Sequence, residues 1–154
     1  MRIHLNRNRS RLCYTSFAAF LLAFMCIAAC GAQIGQTVIS EPDEYSSNYE
    51  AKEKFILRAV ARVFKEKKMG SNVRIDEENR IVETDFLTQN DWRTKSLARI
   101  KPLNWKESEV TLSVITEKRT ESGWEMRRLL EKEQYVKIFD TIELKIYEEM
   151  YKME

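Results

Sequence analysis

The side chains able to do chemistry fall into two groups, separated by position. All three cysteines, Cys13, Cys26 and Cys30, and the one histidine, His4, lie between Met1 and Cys30. A cysteine can act as nucleophile, redox group or acyl acceptor, and a histidine as general base or metal ligand. Past Cys30 the chain has neither, which excludes from it Ser-His-Asp and Cys-His arrangements and zinc held by His or Cys. A Ser-Lys pair would need a geometry that spacing does not specify. Gly31, Gly35, Gly70 and Gly123 are the only glycines and are too scattered for a phosphate-cradling loop. Carboxylates therefore remain. Glu83 and Asp85 stand two positions apart on a strand-like stretch, roughly 7 Å by strand rise, the order of separation of a glycosidase pair or a calcium ligand set. Cross-strand ion pairs with Arg93, Lys95, Arg99 and Lys101 on an exposed sheet face account for the same carboxylates without catalysis, and are the simpler expectation. Trp92, Trp105 and Trp124 sit near predicted strand ends or loops, where an indole could stack on a sugar ring or anchor a partner protein. Packing in the core or at its rim is the ordinary alternative for each.

The segment from Met1 to Cys30 reads as an export signal, with Arg2, Arg7, Arg9 and Arg11 at the start, an apolar run from Phe17 to Ala29, and small residues before Cys30. Arginines stay on the cytoplasmic side while a short apolar helix enters the membrane, and small side chains fit a peptidase cleft. The tetrad Ile27-Ala28-Ala29-Cys30 resembles the bacterial lipobox, with Ile27 where leucine is commoner. That resemblance implies that residues 1–29 are removed, taking His4, Cys13 and Cys26 with them. It also implies that Cys30, carrying about three palmitate-type acyl chains, enough for a firm anchor, becomes the first residue of a lipoprotein. Gly31 follows, where an aspartate would in enteric bacteria favour the inner membrane, so the resemblance implies the outer membrane, facing the periplasm. Two alternatives stand beside it. The stretch from Tyr14 to Ala32 is mostly apolar and nearly long enough for an uncleaved membrane anchor, and Cys30 could be an ordinary buried cysteine.

With 154 residues, 44% hydrophobic and 32% charged, the chain suits one well-solvated globular domain plus appendages. Its formal charge of +2 is a property of the export signal: without Arg2, Arg7, Arg9 and Arg11, 22 Lys and Arg face 24 Asp and Glu. A mildly acidic domain lacks the basic excess that phosphate neutralisation requires, so no nucleic-acid partner is expected. With no thiol left to pair, the domain must rely on an apolar core despite an oxidising compartment.

Residues 30–47, polar with Gly and Pro and no sustained period, read as the lipidated cysteine and a flexible tether, reaching roughly 20–25 Å. A short edge strand at 37–40 is the alternative. A helix follows, capped by Ser47 or Asn48, with Ile56, Ala59, Val60, Val63 and Phe64 on one face and Gly70 as a left-handed stop. Lys65, Lys67 and Lys68 in its last turn complement the helix dipole, or else touch anionic lipid. Strand-like alternation then runs over 72–76, 80–88, 94–102 and 109–119, with 124–129 as a fifth segment. In the second, Ile81, Glu83, Asp85 and Leu87 share one side, and Val82, Thr84 and Phe86 the inward side. Tyr135, Ile138, Phe139, Ile142, Ile146 and Met150 repeat at helical spacing from about Glu133 onward, with Tyr147 and Tyr151 extending the packed stripe.

The order predicts an α+β fold over residues 48–154: an antiparallel four- to five-stranded meander, flanked in sequence by an N-terminal and a C-terminal helix packed on one face. That order, the lipobox and Arg80-Ile81-Val82-Glu83-Thr84-Asp85-Phe86 resemble domains of outer-membrane lipoproteins of the BamC (NlpB) type, where a Gly-Val-Ile-Glu-Thr-like strand precedes an aromatic. Here Arg80 replaces the glycine, and a second such domain is absent from the sequence. The function expected is a non-enzymatic interaction module for another envelope protein, with a place in outer-membrane assembly as what the resemblance implies. No cofactor or metal is expected. A glycan-binding module for peptidoglycan or lipopolysaccharide and a carboxylate-dependent hydrolase are the alternatives. Intact-mass measurement of the chain extracted from membranes of a diderm bacterium is expected to show a product starting at Cys30 with a diacylglyceryl group and a further acyl chain. Cys30→Ala should lack it, and a chain retaining residues 1–29 would mean a transmembrane anchor instead.

Overall fold

The longest period-two alternation lies in the middle of the chain, and the sheet is built outward from it. The computed structural model describes residue 35 and residues 37–152, so Cys30 and the segment read as an export signal lie outside the described residues. In chain order the elements are β1 (Glu44–Glu50), α1 (Glu53–Glu66), β2 (Ser71–Asp76), β3 (Ile81–Asp85), β4 (Leu87–Gln89), β5 (Trp92–Pro102), β6 (Glu107–Thr120), β7 (Gly123–Met126) and α2 (Lys132–Tyr151). The fold is α+β, with one antiparallel sheet in the order β1-β6-β5-β3-β2. Beside β5, β4 prolongs the column of β3; beside β6, β7 prolongs that of β1.

One face of the sheet carries the core. Val82, Ala98, Ile100, Val110 and Leu112 are buried there beneath Ile56, Ala59, Val60, Val63 and Phe64 of α1 and Tyr135, Ile138, Phe139, Ile142 and Ile146 of α2, all in one cluster. Burying each large apolar side chain contributes roughly 1.5–3 kcal/mol before entropy is counted. A capping box starts α2: the side chain of Glu131 accepts from the backbone of Gln134, whose own side chain accepts from the Glu131 N–H at 2.5 Å.

The entry into the domain differs from the expectation. Residues 44–47, read as tether, belong to β1, and Ser47 and Asn48, read as a helix cap, lie within that strand; α1 starts at Glu53 after Lys52. The expected N-terminal helix is thus preceded by a strand. Tyr45, Ser47 and Tyr49 alternate toward the helices, and this short polar-aromatic alternation pairs with β6 from Glu44↔Ser113 to Glu50↔Glu107. Tyr49 donates to the carbonyl of Phe139 at 3.0 Å. Further back, Val38 bridges Arg127, Arg128 N–H donates to Thr37 O at 2.9 Å and Ile39 N–H to Met126 O at 3.2 Å, so this stretch lies along the end of β7. Seven strands replace the expected four to five because β1 is added and the run over 80–88 breaks in two at Phe86.

Between β1 and β7 the outer edge of β6 has a gap, and Tyr135 fills it. Its hydroxyl accepts from Val114 N–H at 3.3 Å and lies 3.4 Å from the carbonyl of Asp43, to which it donates, while its ring lies 4.4 Å from that of Tyr45. Burial, chiefly, pushes the Tyr135 phenol up to about 12.

Helix α1 stops at a lysine, not at Gly70. Lys68 has φ 52°, Met69 N–H donates to Phe64 O at 2.9 Å and Lys68 N–H to Lys65 O at 3.3 Å, the two bonds of a Schellman motif. Gly70, at φ 156°, answers a different need: a β-carbon there would sit 1.9 Å from Thr84 Oγ1. That oxygen accepts from Ser96 N–H at 2.9 Å, and Ser96 Oγ donates to Met69 O at 2.6 Å, so the threonine has no room to withdraw. Gly70→Ala is therefore expected to lower the urea-unfolding stability of the soluble domain by about 1–3 kcal/mol, the usual cost of overpacking. An unchanged midpoint would show that Thr84 and Ser96 shift at little cost.

Candidate functional site

Glu83 and Asp85, the carboxylates picked out for acid/base work, lie on the sheet face away from the helices, and both are held by Arg74 of β2. Its Nη2 reaches Glu83 Oε1 at 3.0 Å and Asp85 Oδ1 at 2.8 Å, and its Nη1 reaches Asp85 Oδ2 at 3.0 Å. The ion pairs expected of this face are present, but the main partner lies on β2 and not β5. The arginines of β5 turn the other way, Arg93 to Glu117 and Arg99 to Glu44 at 2.9 Å. In sheet order the face shows Arg74, then Glu83 and Asp85, then Arg93, Lys95, Arg99 and Lys101, then Glu109 and Glu117, with Glu44 beyond. Acids of β3 and of β6 therefore stand on either side of the basic line of β5. Hydrogen bonds from Arg74 and then Asn72 hold the Asp85 carboxyl below its ordinary value.

The three tryptophans occupy three places. Trp124 lies on this same face, where Arg93 sits 4.2 Å from the ring centre of Phe86 and 4.4 Å from that of Trp124. Phe86 reaches Arg93 because the strand breaks there. Leu87 pairs with Thr94 on the helix side and Thr88 with Arg93, so Leu87 takes the face expected of Phe86 and the phenyl ring comes out on the charged side. Trp92 pairs with Lys118 on the helix side, the ammonium 5.6 Å from its ring centre, and its edge packs beside Gly35. Trp105 stands 85% exposed in the turn between β5 and β6, with Lys106 4.4 Å from its ring centre. The ten residue steps of β5 from Trp92 to Pro102 put roughly 33 Å between the two ends of the sheet, so Trp92 and Trp105 share no surface.

Several exposed apolar side chains lie together on α2. Leu144, Tyr147 and Tyr151 follow one helical stripe at 57%, 51% and 73% exposure, and Met150 lies beside them. Tyr147 and Tyr151, expected to extend the core stripe, instead face out. With Lys52 and Phe55 at the start of α1 they line a hollow of about 450 Å³. A second hollow of about 230 Å³ adjoins it, lined by Asn48, Tyr49, Glu50, Glu143, Ile146 and Tyr147. Ion pairs steady the two helices beside the stripe: Arg62 reaches Glu66 and Glu148, each at 2.8 Å, and Lys145 reaches Glu66 at 3.5 Å.

No protein family matches the chain, and neither does any curated protein. Among the described residues no three His, Cys, Asp or Glu side chains group so as to hold a metal ion, and no described helix is long and apolar enough to cross a membrane. The clamp of Arg74 and the outward tyrosines were missed from sequence. Strand order carries the first; the second was readable from helical spacing, which sets Tyr147 and Tyr151 with Leu144 and off the stripe of Tyr135, Ile142 and Ile146.

The charge clamp sets an acid dependence. The folded Asp85 carboxyl titrates below its unfolded value, so its contribution to stability is present above the ordinary carboxylate range, near pH 4, and is lost as pH falls through the depressed value. Arg74→Gln is expected to bring the Asp85 titration, followed by carboxyl NMR, back toward that range. A titration that does not move would assign the shift to Asn72 instead.

Proposed function

We propose that the protein is a lipid-anchored, non-enzymatic envelope lipoprotein whose domain docks another envelope protein through the outer stripe of α2. The observation that carries the docking surface is the exposure of Leu144, Tyr147, Met150 and Tyr151 on α2, the last three lining a hollow with Phe55. Tyrosines and apolar side chains beside a concavity are the usual centre of a protein interface, and solvent-exposed apolar stripes of this kind mark interaction sites. The anchor rests on the lipobox resemblance at Cys30, as does the outer-membrane, periplasm-facing location; a role in outer-membrane assembly rests on the BamC-type resemblance.

The two other functions have less support. A glycan module was expected to combine Trp92, Trp105 and Trp124 with the basic face of β5. The indoles stand on different surfaces, and the basic line is flanked by acids on both sides. A hydrolase was expected to use Glu83 and Asp85, and one guanidinium holds both.

A photo-crosslinking residue placed at Tyr147 in intact cells is expected to give a discrete protein adduct, with none from the same residue at Arg99 on the sheet face. Leu144→Glu with Tyr151→Glu should abolish that adduct without loss of folding. Adducts from Arg99 alone, or none from Tyr147, would overturn the assignment of the docking surface.

A further inference from the structure

Most of the stretch read as a tether belongs to the domain, and the few residues left between Gly35 and Cys30 limit which end of the domain an anchor at Cys30 can reach. Gly35 already lies in the domain: a β-carbon there would be 2.8 Å from the Cη2 of Trp92 and 3.5 Å from the Cδ1 of Leu129. From Thr37 to Ile39 the backbone is bonded to residues 126–128, and Arg128 holds Asp43 through Nε at 2.7 Å and Nη2 at 2.9 Å. Only five residue steps separate Gly35 from Cys30, and they span at most about 18 Å when fully extended. The sheet is more than twice as long as that reach, since β6 alone runs 14 residues or roughly 46 Å.

We infer that the end of the domain bearing Trp92, Lys67, Lys68 and Lys118 rests on an anionic phospholipid surface, with Trp105 and the docking stripe of α2 directed away from it. This rests on the acylation of Cys30 proposed above. The chemistry of that end suits a lipid headgroup layer. Exposed Lys67 and Lys68 rim an apolar cleft of about 230 Å³ that includes Met69, Leu129, Leu130 and Ile138. Half-buried Trp92 lies beside Gly35 with Lys118 over its ring. An indole flanked by lysines is the pattern favoured at a bilayer interface, and basic side chains there are drawn to anionic lipid. The acids at this end are Asp91 in the β4–β5 turn, Glu121 in the β6–β7 turn, exposed Glu131 and Glu133 at the start of α2, and Glu117 and Glu125, whose carboxylates are paired with Arg93 and Arg127. At the other end the hollow of α2 joins Glu50, which pairs with Glu107 at the start of β6, next to the turn that carries Trp105.

The three tryptophans make the orientation readable. The full chain, processed in a diderm bacterium and reconstituted in phosphatidylethanolamine–phosphatidylglycerol vesicles with brominated acyl chains, would be compared as Trp105→Phe/Trp124→Phe, which leaves Trp92, and Trp92→Phe/Trp124→Phe, which leaves Trp105. Quenching of Trp92 is expected to be several-fold greater than that of Trp105, and to shrink when phosphatidylglycerol is replaced by phosphatidylcholine. Amide hydrogen exchange of the unsubstituted chain on the same vesicles should slow at the turns 90–91 and 121–122 and not at 103–106, which covers the case in which Trp92→Phe disturbs folding. Acylated protein with Trp105 quenched as strongly as Trp92, or with neither quenched and no turn protected, would overturn the orientation and leave the lipoprotein assignment intact. An intact mass without acyl chains would overturn both.

Discussion

The pairing of β5 with β6 is the constraint on which the rest of the structure depends. It runs without interruption from Trp92↔Lys118 to Pro102↔Ser108, eleven residue pairs, and no other pair of strands in the sheet is as long. That length lets each of the two host two shorter neighbours end to end, β3 and β4 on one side, β1 and β7 on the other. A slip of one residue would move Ala98, Ile100, Val110 and Leu112 from under the helices to the charged face, so the core fixes the register and the register fixes every later placement. Where two neighbours meet end to end the column has a seam, and each seam is closed differently. Phe86 closes one by turning its ring onto Arg93, and Tyr135 closes the other by lending its hydroxyl to Val114 N–H.

The charged face follows from the same register. Exposed ion pairs contribute little individually, about 0.2–1 kcal/mol in favourable cases. Their arrangement in columns of alternating sign has a larger effect on what the face can bind than on stability. Arg93 and Lys101 of β5 lie opposite Glu117 and Glu109, and Arg99 reaches Glu44, so the basic line is interrupted by acids and offers no continuous positive field to an anionic glycan. Like charges directly opposite are destabilising, as Glu50 and Glu107 are at the end of β1, but elsewhere a one-residue shift would replace ion pairs with apolar contacts on the wrong side. On this face ion pairing and register support one another, while the exposed stripe of α2 has no such internal partner.

Much of this was legible in the sequence because it depends on local period. The alternation at 94–102 and 109–119 and the helical stripe from Tyr135 to Ile146 appear where expected, with ends displaced by a few residues. The misses share one cause, which is that they depend on neighbours distant in sequence. Glu44–Glu50 has only two tyrosines to mark it, and it is a strand because β6 offers an unpaired edge. Lys68 adopts the left-handed conformation usually left to glycine because Met69 must turn back to Phe64, and Gly70 is needed one step later by the closeness of Thr84. Tyr147 and Tyr151 are an exception, because at 100° per residue they fall with Leu144 on the side of α2 away from Tyr135, Ile138, Phe139, Ile142 and Ile146, so the helical period itself places them outside the core stripe. Of the candidate site residues, Glu83 and Asp85 were recognised as ion-pair formers, although the identity of their partner required the strand order.

The segment ahead of β1 is where sequence and structure differ most in consequence. A flexible tether would let the domain tumble at a distance from its anchor, and any face could then meet the bilayer or a partner. The described chain instead touches the domain at three successive points: Gly35 against Trp92, Thr37 to Ile39 along the end of β7, and Asp43 between Arg128 and the hydroxyl of Tyr135. The last of these joins the entering chain to both the sheet and α2, so a displacement of the chain at Asp43 acts on the same residue that closes the seam in β6. The path of the entering chain and core packing are thereby coupled through Tyr135. Ion pairs between α1 and α2 hold the two helices together near the opposite end, where the exposed stripe lies. A domain so held at one end and so braced at the other would present one fixed surface outward, which is what a docking module on a short anchor requires.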